Sequence, residues 1–205
     1  MLGTKALAGY AQAAESLLPA FSRIDPAERY APVVRFFPPP PATALDIGAG
    51  SGRDAAWLAR SGYDVVAVEP VAAFRDHGRR ACAGLRVRWL ADRLPDLAIA
   101  QREGRRFRLA LASAVWQHLE PAAQIRAIGS LAAILEVGGR AVVSLRRGPG
   151  ASSRPVFPCD EYVLVDAAVR SGLRLVHRAE RPSVQEGNRA RGVTWTWLVL
   201  ERVPA

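Results

Sequence analysis

Lysine is nearly missing from this chain. Of 28 basic residues only Lys5 is a lysine, so the formal charge of +9 rests on arginine. That bias reads as coding preference rather than as a cationic patch built for phosphate. The arginines are scattered, with small clusters at Arg79-Arg80, Arg105-Arg106 and Arg146-Arg147 near predicted helix ends or loops. Aromatic residues do not interleave with them in the manner of a single-strand-binding groove, so a solvated surface is expected and a nucleic-acid partner is not. Cysteine is scarce too. Cys82 and Cys159 lie far apart, with no CxxC spacing and no flanking histidines, which argues against a zinc site or a disulfide framework and for buried free thiols. Long uncharged apolar runs are also lacking, as is a basic stretch followed by an apolar one at the N-terminus. Membrane insertion and export are therefore not expected, and a cytoplasmic location is.

A chain of 205 residues can bury a substantial core in one α/β domain. Its organising stretch is residues 42–70, ATALDIGAGSGRDAAWLARSGYDVVAVEP. Thr43 to Ile47 form an apolar run fit for a buried parallel strand. Gly48, Gly50 and Gly52 follow at once, allowing a sharp turn and close approach of a ligand to bare backbone. A helix is predicted from Gly52 through Ala59, stopping at Ser61-Gly62. A second strand, Tyr63 to Val68, then ends on Glu69-Pro70. An acid about 20 residues past such glycines is spaced to hydrogen-bond a ribose diol.

The glycine spacing separates two cofactor classes. Dinucleotide enzymes want a third glycine at the position held here by Arg53. The pattern is instead an acid, one residue, then GxGxG, carried by Asp46, Gly48, Gly50 and Gly52 with Ala49 between. It resembles motif I of the class I S-adenosylmethionine-dependent methyltransferases. The resemblance implies that the glycine turn packs against the methionyl and ribosyl parts of the cofactor. It further implies a doubly wound, Rossmann-like α/β sheet of seven strands in the order 3-2-1-4-5-7-6, the last strand antiparallel, over residues 42–205. Residues 1–41 would form an N-terminal helical cap.

Within that cap, residues 4–18 show a helical apolar pattern that Pro19 should end. Asp25-Pro26 reads as an N-cap followed by proline at the first helical position, opening a second helix that Pro32 should bend or interrupt. In many small-molecule methyltransferases such helices cover the cofactor and line the acceptor pocket. Tyr10 and Tyr30 are the candidate walls, although aromatics at this spacing also suit plain core.

Past Glu69, residues 71–83 read as a helix and Leu85 to Leu90 as a third strand. By resemblance, Asp92 and Arg93 occupy the adenine-binding places, while a turn cap before Pro95 is the competing role for Asp92. Residues 107–115 form the predicted fourth strand, followed by a helix from Pro121 to about Leu135, punctuation at Gly138-Gly139 and a fifth strand, Ala141 to Leu145. A helix over Glu161 to Ser171 and strands over Leu173 to Ala179 and Val193 to Leu200, around a polar loop, complete the sheet.

The end of the fourth strand is the carboxyl edge where ligands bind in open α/β folds. Ser113, Ala114, Val115 and Trp116 lack the prolines of DNA amino-methyltransferases and the Pro-Cys nucleophile of cytosine enzymes, and Ala112 and Ser113 cannot hold magnesium. No metal is expected. Ser113 remains as a cofactor contact, with Trp116, His118 and Arg146 as acceptor walls. His118 is a candidate general base, since imidazole takes protons near neutral pH, or else a structural residue beside Pro121. The expected function is methyl transfer from S-adenosylmethionine to a small-molecule nucleophile, leaving S-adenosylhomocysteine. Catalysis would rest mainly on holding the reacting atoms about 3 to 3.5 Å apart. A tRNA or protein methyltransferase and a non-catalytic protein keeping the cofactor fold are the alternatives.

Overall fold

The computed structural model describes residues 3–204, apart from the side chain of Thr4. The outer ends of the expected segments, 1–41 and 42–205, thus lie just outside it. Helices α1 (Thr4–Gln12), α2 (Ala14–Ser22) and α3 (Pro26–Tyr30) precede the first strand. Strand β1 (Thr43–Ile47), α4 (Arg53–Arg60), β2 (Asp64–Val68), α5 (Ala72–Ala81) and β3 (Val87–Leu90) form the first half. The second half comprises α6 (Ala98–Arg102), β4 (Phe107–Ala112), α7 (Pro121–Ile134), β5 (Leu135–Arg147), α8 (Glu161–Arg170), β6 (Leu173–Pro182), α9 (Glu186–Arg189) and β7 (Thr194–Arg202). The seven strands form one sheet in the order β3-β2-β1-β4-β5-β7-β6, as expected. Strands β1 to β5 pair in parallel, and β7 runs antiparallel to both β5 and β6.

Alternation along the strands feeds two cores, because successive side chains point to opposite faces. Leu45, Ile47, Val66 and Val68 pack with α7 and α8 residues such as Ile128, Leu131 and Leu164. Ala44, Val65, Leu109 and Leu111 pack on the other face with Ala55 and Leu58 of α4 and with Tyr30 and Val33. Strands covered on both faces explain why β1, β2 and β4 read as nearly continuous apolar runs. The sheet edges carry Arg88 on β3 and Arg174 and Arg178 on β6, all three exposed, which blunts edge-to-edge pairing.

Several expected boundaries move. Pro19 does not end the first helix; the break falls at Ala13, and Pro19 lies inside α2. Pro19 is exposed, as is Glu15, whose carbonyl loses its helical partner, so no buried group is orphaned. Within α1, a Cβ on Gly9 would collide with the Ser153 carbonyl oxygen, so the helix is pressed against the loop after β5. Asp25 caps α3 by accepting from the Ala27 amide at 2.9 Å, with Pro26 in the first turn, as the sequence suggests. Gly138-Gly139 is not a helix stop. Helix α7 runs directly into β5 at Leu135, and the two glycines sit at a register shift against β4. A Cβ on Gly139 would meet the Phe107 oxygen at 2.7 Å, so glycine permits close strand approach there rather than ending an element.

Candidate functional site

The carboxyl ends of β1, β2, β4 and β5 open into a cavity of about 860 Å³, roofed by α1 and α2. At its β1 corner the amides of Gly48 and Ala49 donate to the Val68 carbonyl at 2.8 and 3.0 Å, tying the turn to the tip of β2. The glycines of this turn differ in purpose. Gly50 has φ +55°, and a Cβ there would meet nothing nearer than the Gly48 oxygen at 3.8 Å, so its bare face opens to the cavity. A Cβ on Gly52 would instead meet Gly78 Cα at 2.9 Å and Trp89 at 3.1 Å. Gly52 is therefore a packing glycine between α4 and α5, and it does not line the cavity.

Glu69 is buried at the tip of β2, and its carboxylate is held by backbone alone. Oε2 accepts from the Gly50 amide at 2.9 Å and Oε1 from the Val71 amide at 2.8 Å. Burial pushes its pKa up, against the pull of those two donors. Each oxygen keeps a lone pair for a further donor, which suits a vicinal diol. Pro70, Arg93, Ala49 and Ser113 also line the wall.

A polar network underlies the turn. Asp46 is buried, and its Oδ2 has no hydrogen-bond partner. Burial and the neighbouring Asp54 push its pKa well up, so it holds its proton more strongly than an ordinary carboxyl. Burial also works against the charge of Asp54, but Arg53, Arg29 and the Tyr30 hydroxyl together more than offset it and the net shift is downward. Arg53 Nε and Nη2 lie 2.7 and 2.6 Å from the Asp54 oxygens, and the Tyr30 hydroxyl donates to Oδ2 at 2.8 Å. Arg53 also donates to the Phe21 carbonyl at 3.0 Å, fastening α2 to the start of α4. Arg29, 8% exposed, donates to Ser113 Oγ at 2.8 and 2.7 Å and lies against Trp195 and Trp197. No carboxylate lies within 4 Å of its guanidinium among the described residues, although the side chain lines the cavity.

Beyond β4 the chain turns at Ala114, whose φ of +59° is left-handed in a residue other than glycine. The turn is pinned at both ends: the Ala114 amide donates to Ser144 Oγ at 2.8 Å, and Gln117 Nε2 donates to the Ala114 carbonyl at 2.7 Å. A short 3-10 turn, Trp116–His118, then sends Trp116 into the core and His118 to the cavity wall. His118 Nδ1 lies 2.9 Å from the Pro155 carbonyl, which can only accept, so this nitrogen carries the proton. Nε2 is then the basic nitrogen, and the Tyr10 hydroxyl donates to it at 2.8 Å. Burial holds the His118 pKa below the ordinary histidine range, and the nearby Arg154 and Arg146 charges add to that. The Tyr10 hydroxyl is shifted up by burial. A neutral imidazole poised on a phenol can relay a proton out of the cavity.

Against the sequence expectations, two walls are corrected. Tyr30 has no exposed surface; it stacks on Trp57 with centroids 5.6 Å apart and serves to hold Asp54. Trp116 is likewise fully buried among Leu119, Ile128 and Leu131. Neither lines the cavity. Asp92 does not face it either: both its oxygens are engaged by the amides of Arg93, Ile99 and Ala100, at 2.8 to 2.9 Å, as a cap for α6. Asp46 lies behind the turn rather than on the wall. Tyr10, His118 and Arg146 do line it, joined by Arg29, Phe74, Arg154, Arg191 and Trp195, which sequence reasoning passed over. Arg29 follows the Asp25-Pro26 cap by one helical turn, the one local signal that could have singled it out. Arg154 and Arg191 stand in irregular segments where no periodicity aims a side chain.

The cradle at Gly50, the diol-ready Glu69 and the Arg29 guanidinium on the cavity wall fit a ribosyl and aminoacyl ligand. Among the described residues, no group of three or more His, Cys, Asp or Glu side chains gathers as a metal site, and no helix is long and apolar enough to cross a membrane. Residues 44–139 match the methyltransferase-domain family. Searching curated proteins by sequence gives no match. Among solved structures, the fold is similar to the 1,6-didemethyltoxoflavin N1-methyltransferase of Burkholderia thailandensis, with its substrate and S-adenosylhomocysteine bound. The two share 21% identity over 97% of this chain and 87% of that one, with a TM-score of 0.72. A TehB-like methyltransferase of Corynebacterium glutamicum is 22% identical over 96% and 97% of the two chains, TM-score 0.65. The magnesium protoporphyrin IX methyltransferase of Synechocystis, with S-adenosylmethionine bound, is 16% identical over 95% and 80%, TM-score 0.65. Motif, sheet order and family match agree: residues 44–139 match the methyltransferase-domain family, and the fold is similar to that of S-adenosylmethionine-dependent methyltransferases.

Proposed function

We propose that the protein methylates a nucleophilic atom of a small molecule enclosed beneath α1 and α2, with Tyr10 and His118 removing the acceptor's proton. The observation that carries this reading is the Tyr10–His118 contact on the wall of the same cavity that Glu69 and Gly50 line. Strand spacing gives the separation: β2 and β5 are three strands apart, or roughly 14 Å. Cofactor groups on the β1–β2 side and acceptor groups over β4–β5 can then occupy one cavity together. A volume near 860 Å³ falls in the upper part of the roughly 300–1,000 Å³ range of ligand pockets.

S-adenosylmethionine supplies, when bound, a methyl carbon already activated on a sulfonium. Glu69 would take the ribose diol, the Gly48–Gly50 backbone would flank the sugar and chain, and Arg29 would meet the carboxylate. Phe21 and Phe74, stacked at 6.0 Å, help shut out water above α5. Tyr10 would receive the acceptor proton as its own passes to His118 Nε2.

The surface supports a small acceptor over a nucleic acid. Arg79, Arg105 and Arg147, one from each arginine cluster, are within 4 Å of Asp76, Asp64 and Glu161 respectively, so their charge is largely answered within the protein. Calorimetry with S-adenosylhomocysteine and NAD, followed by a methyl-transfer screen over small nucleophiles, tests the reading. Binding of NAD in place of S-adenosylhomocysteine would sink it.

A further inference from the structure

Some of the arginines pair with carboxylates, as Arg53, Arg88 and Arg140 do, but those at the β5 side of the cavity do not. Arg146 leaves the end of β5 and Arg191 follows α9, and both reach one neutral atom, Asn188 Oδ1, at 3.4 and 2.9 Å. Asn188 is turned that way by its own amide, which donates to Gln185 Oε1 at 2.6 Å. The Arg146 guanidinium lies 5.5 Å from the Trp195 ring centroid, and its Nε is buried without a hydrogen-bond partner. Arg154 sits 5.2 Å from the Tyr10 ring on the same wall. Among the described residues no carboxylate comes within 4 Å of Arg146, Arg154 or Arg191; Glu186 lines the wall without pairing with any of them.

Three cations converge here on a phenol, an indole and an amide. Such an arrangement leaves like charges unanswered unless an anion enters. Burial lowers the Arg146 pKa, and the Arg191 and Arg154 charges lower it further. On the proposed reading Arg29, held on Ser113 at the end of β4, meets the methionyl carboxylate of the cofactor, which leaves Arg146, at the end of β5 and on the same Trp195 ring, without an anion of its own. Guanidinium forks such as those of Arg146 and Arg154, each beside an aromatic ring, are suited to a planar or tetrahedral oxyanion.

We infer that the acceptor carries an oxyanion, a carboxylate or a phosphate, and that Arg146 and Arg191 bind it with Arg154 at its side. The inference rests on the cavity being a methyl-transfer site. It names the acceptor's chemical class, and it makes these arginines specificity residues rather than cofactor ligands.

Calorimetry on the protein loaded with S-adenosylhomocysteine provides the test, using benzoate against benzamide and phenyl phosphate against phenol. At least one anion should bind in the millimolar range or better and beat its neutral counterpart by about tenfold or more. That preference should collapse in Arg146→Gln and in Arg191→Gln, while affinity for S-adenosylhomocysteine stays within about twofold of the parent. Stronger binding of benzoate or of phenyl phosphate assigns the oxyanion. Anions that bind no better than their neutral counterparts, or that fail to bind at millimolar concentration, overturn the inference, as does an unchanged preference in both variants. Loss of S-adenosylhomocysteine binding by the parent protein would instead strike the methyl-transfer reading, and the two failures are read in separate titrations.

Discussion

The two sides of the cavity are built from different materials. On the β1–β2 side, backbone does the holding: amides of the glycine turn clasp the Val68 carbonyl, and amides of Gly50 and Val71 clasp Glu69. On the β4–β5 side, side chains from distant segments hold one another: Tyr10 on His118, Arg154 over Tyr10, and Arg146 and Arg191 on Asn188. Backbone geometry tolerates many sequences but only a few residue types at its turns. Side-chain geometry depends on each partner. The difference fits one cofactor shared by many enzymes and an acceptor particular to each.

Substitutions can set the two sides apart. Gly50→Val should have the largest effect, because it places a branched side chain in the cavity at a left-handed φ. Affinity for S-adenosylhomocysteine should fall by about a hundredfold or more, measured by calorimetry on protein shown to be folded by circular dichroism. Glu69→Ala removes the diol acceptor and should weaken the same binding by about 1.5 to 3 kcal/mol. Parent-like affinity in both variants would mean that the cofactor lies elsewhere.

Tyr10→Phe should leave that affinity alone and lower kcat by about tenfold, since the proton path is cut while the ring remains. The parent's kcat/KM should rise with pH along a limb placed below the ordinary histidine range. Burial lowers the His118 pKa, so the neutral form persists to lower pH and is lost only on further acidification. A limb at the usual histidine position, or one kept in His118→Ala, would remove His118 from proton transfer. The smallest effect belongs to the core. Tyr30→Phe should cost about 1 to 3 kcal/mol of stability by taking a donor from Asp54, with no change in KM for the acceptor; a shift in KM without a fall in Tm would restore Tyr30 to the wall.

The same contrast explains what the sequence made legible. The glycine turn and Glu69 could be read because they lie in a short stretch whose residue types the backbone restricts, as at Gly50 and Gly62, and the strand order followed from the family that this stretch resembles. Tyr30 misleads because helical spacing places an aromatic on a face without saying what covers it; here Trp57, Phe37 and Trp197 do. Gly138-Gly139 misleads because paired glycines mark a close approach of strands as readily as a stop. Asp92 could be read either way, and the structure shows it capping α6. Arg154 and Arg191 were beyond reach, since their value lies in meeting residues that are remote in the chain or on another loop.

The contact between Tyr10 and His118 joins two parts of the molecule as well as two roles. Tyr10 rides on α1, His118 belongs to the sheet, and the Gly3 amide reinforces the junction by donating to the His118 carbonyl at 3.2 Å. If the pair relays a proton as proposed, the relay would exist only while α1 is seated. Any passage of reactants that lifts this helix would also part Tyr10 from His118, so the fold would work as an interlock: with the door open, the machinery for removing a proton would not be assembled.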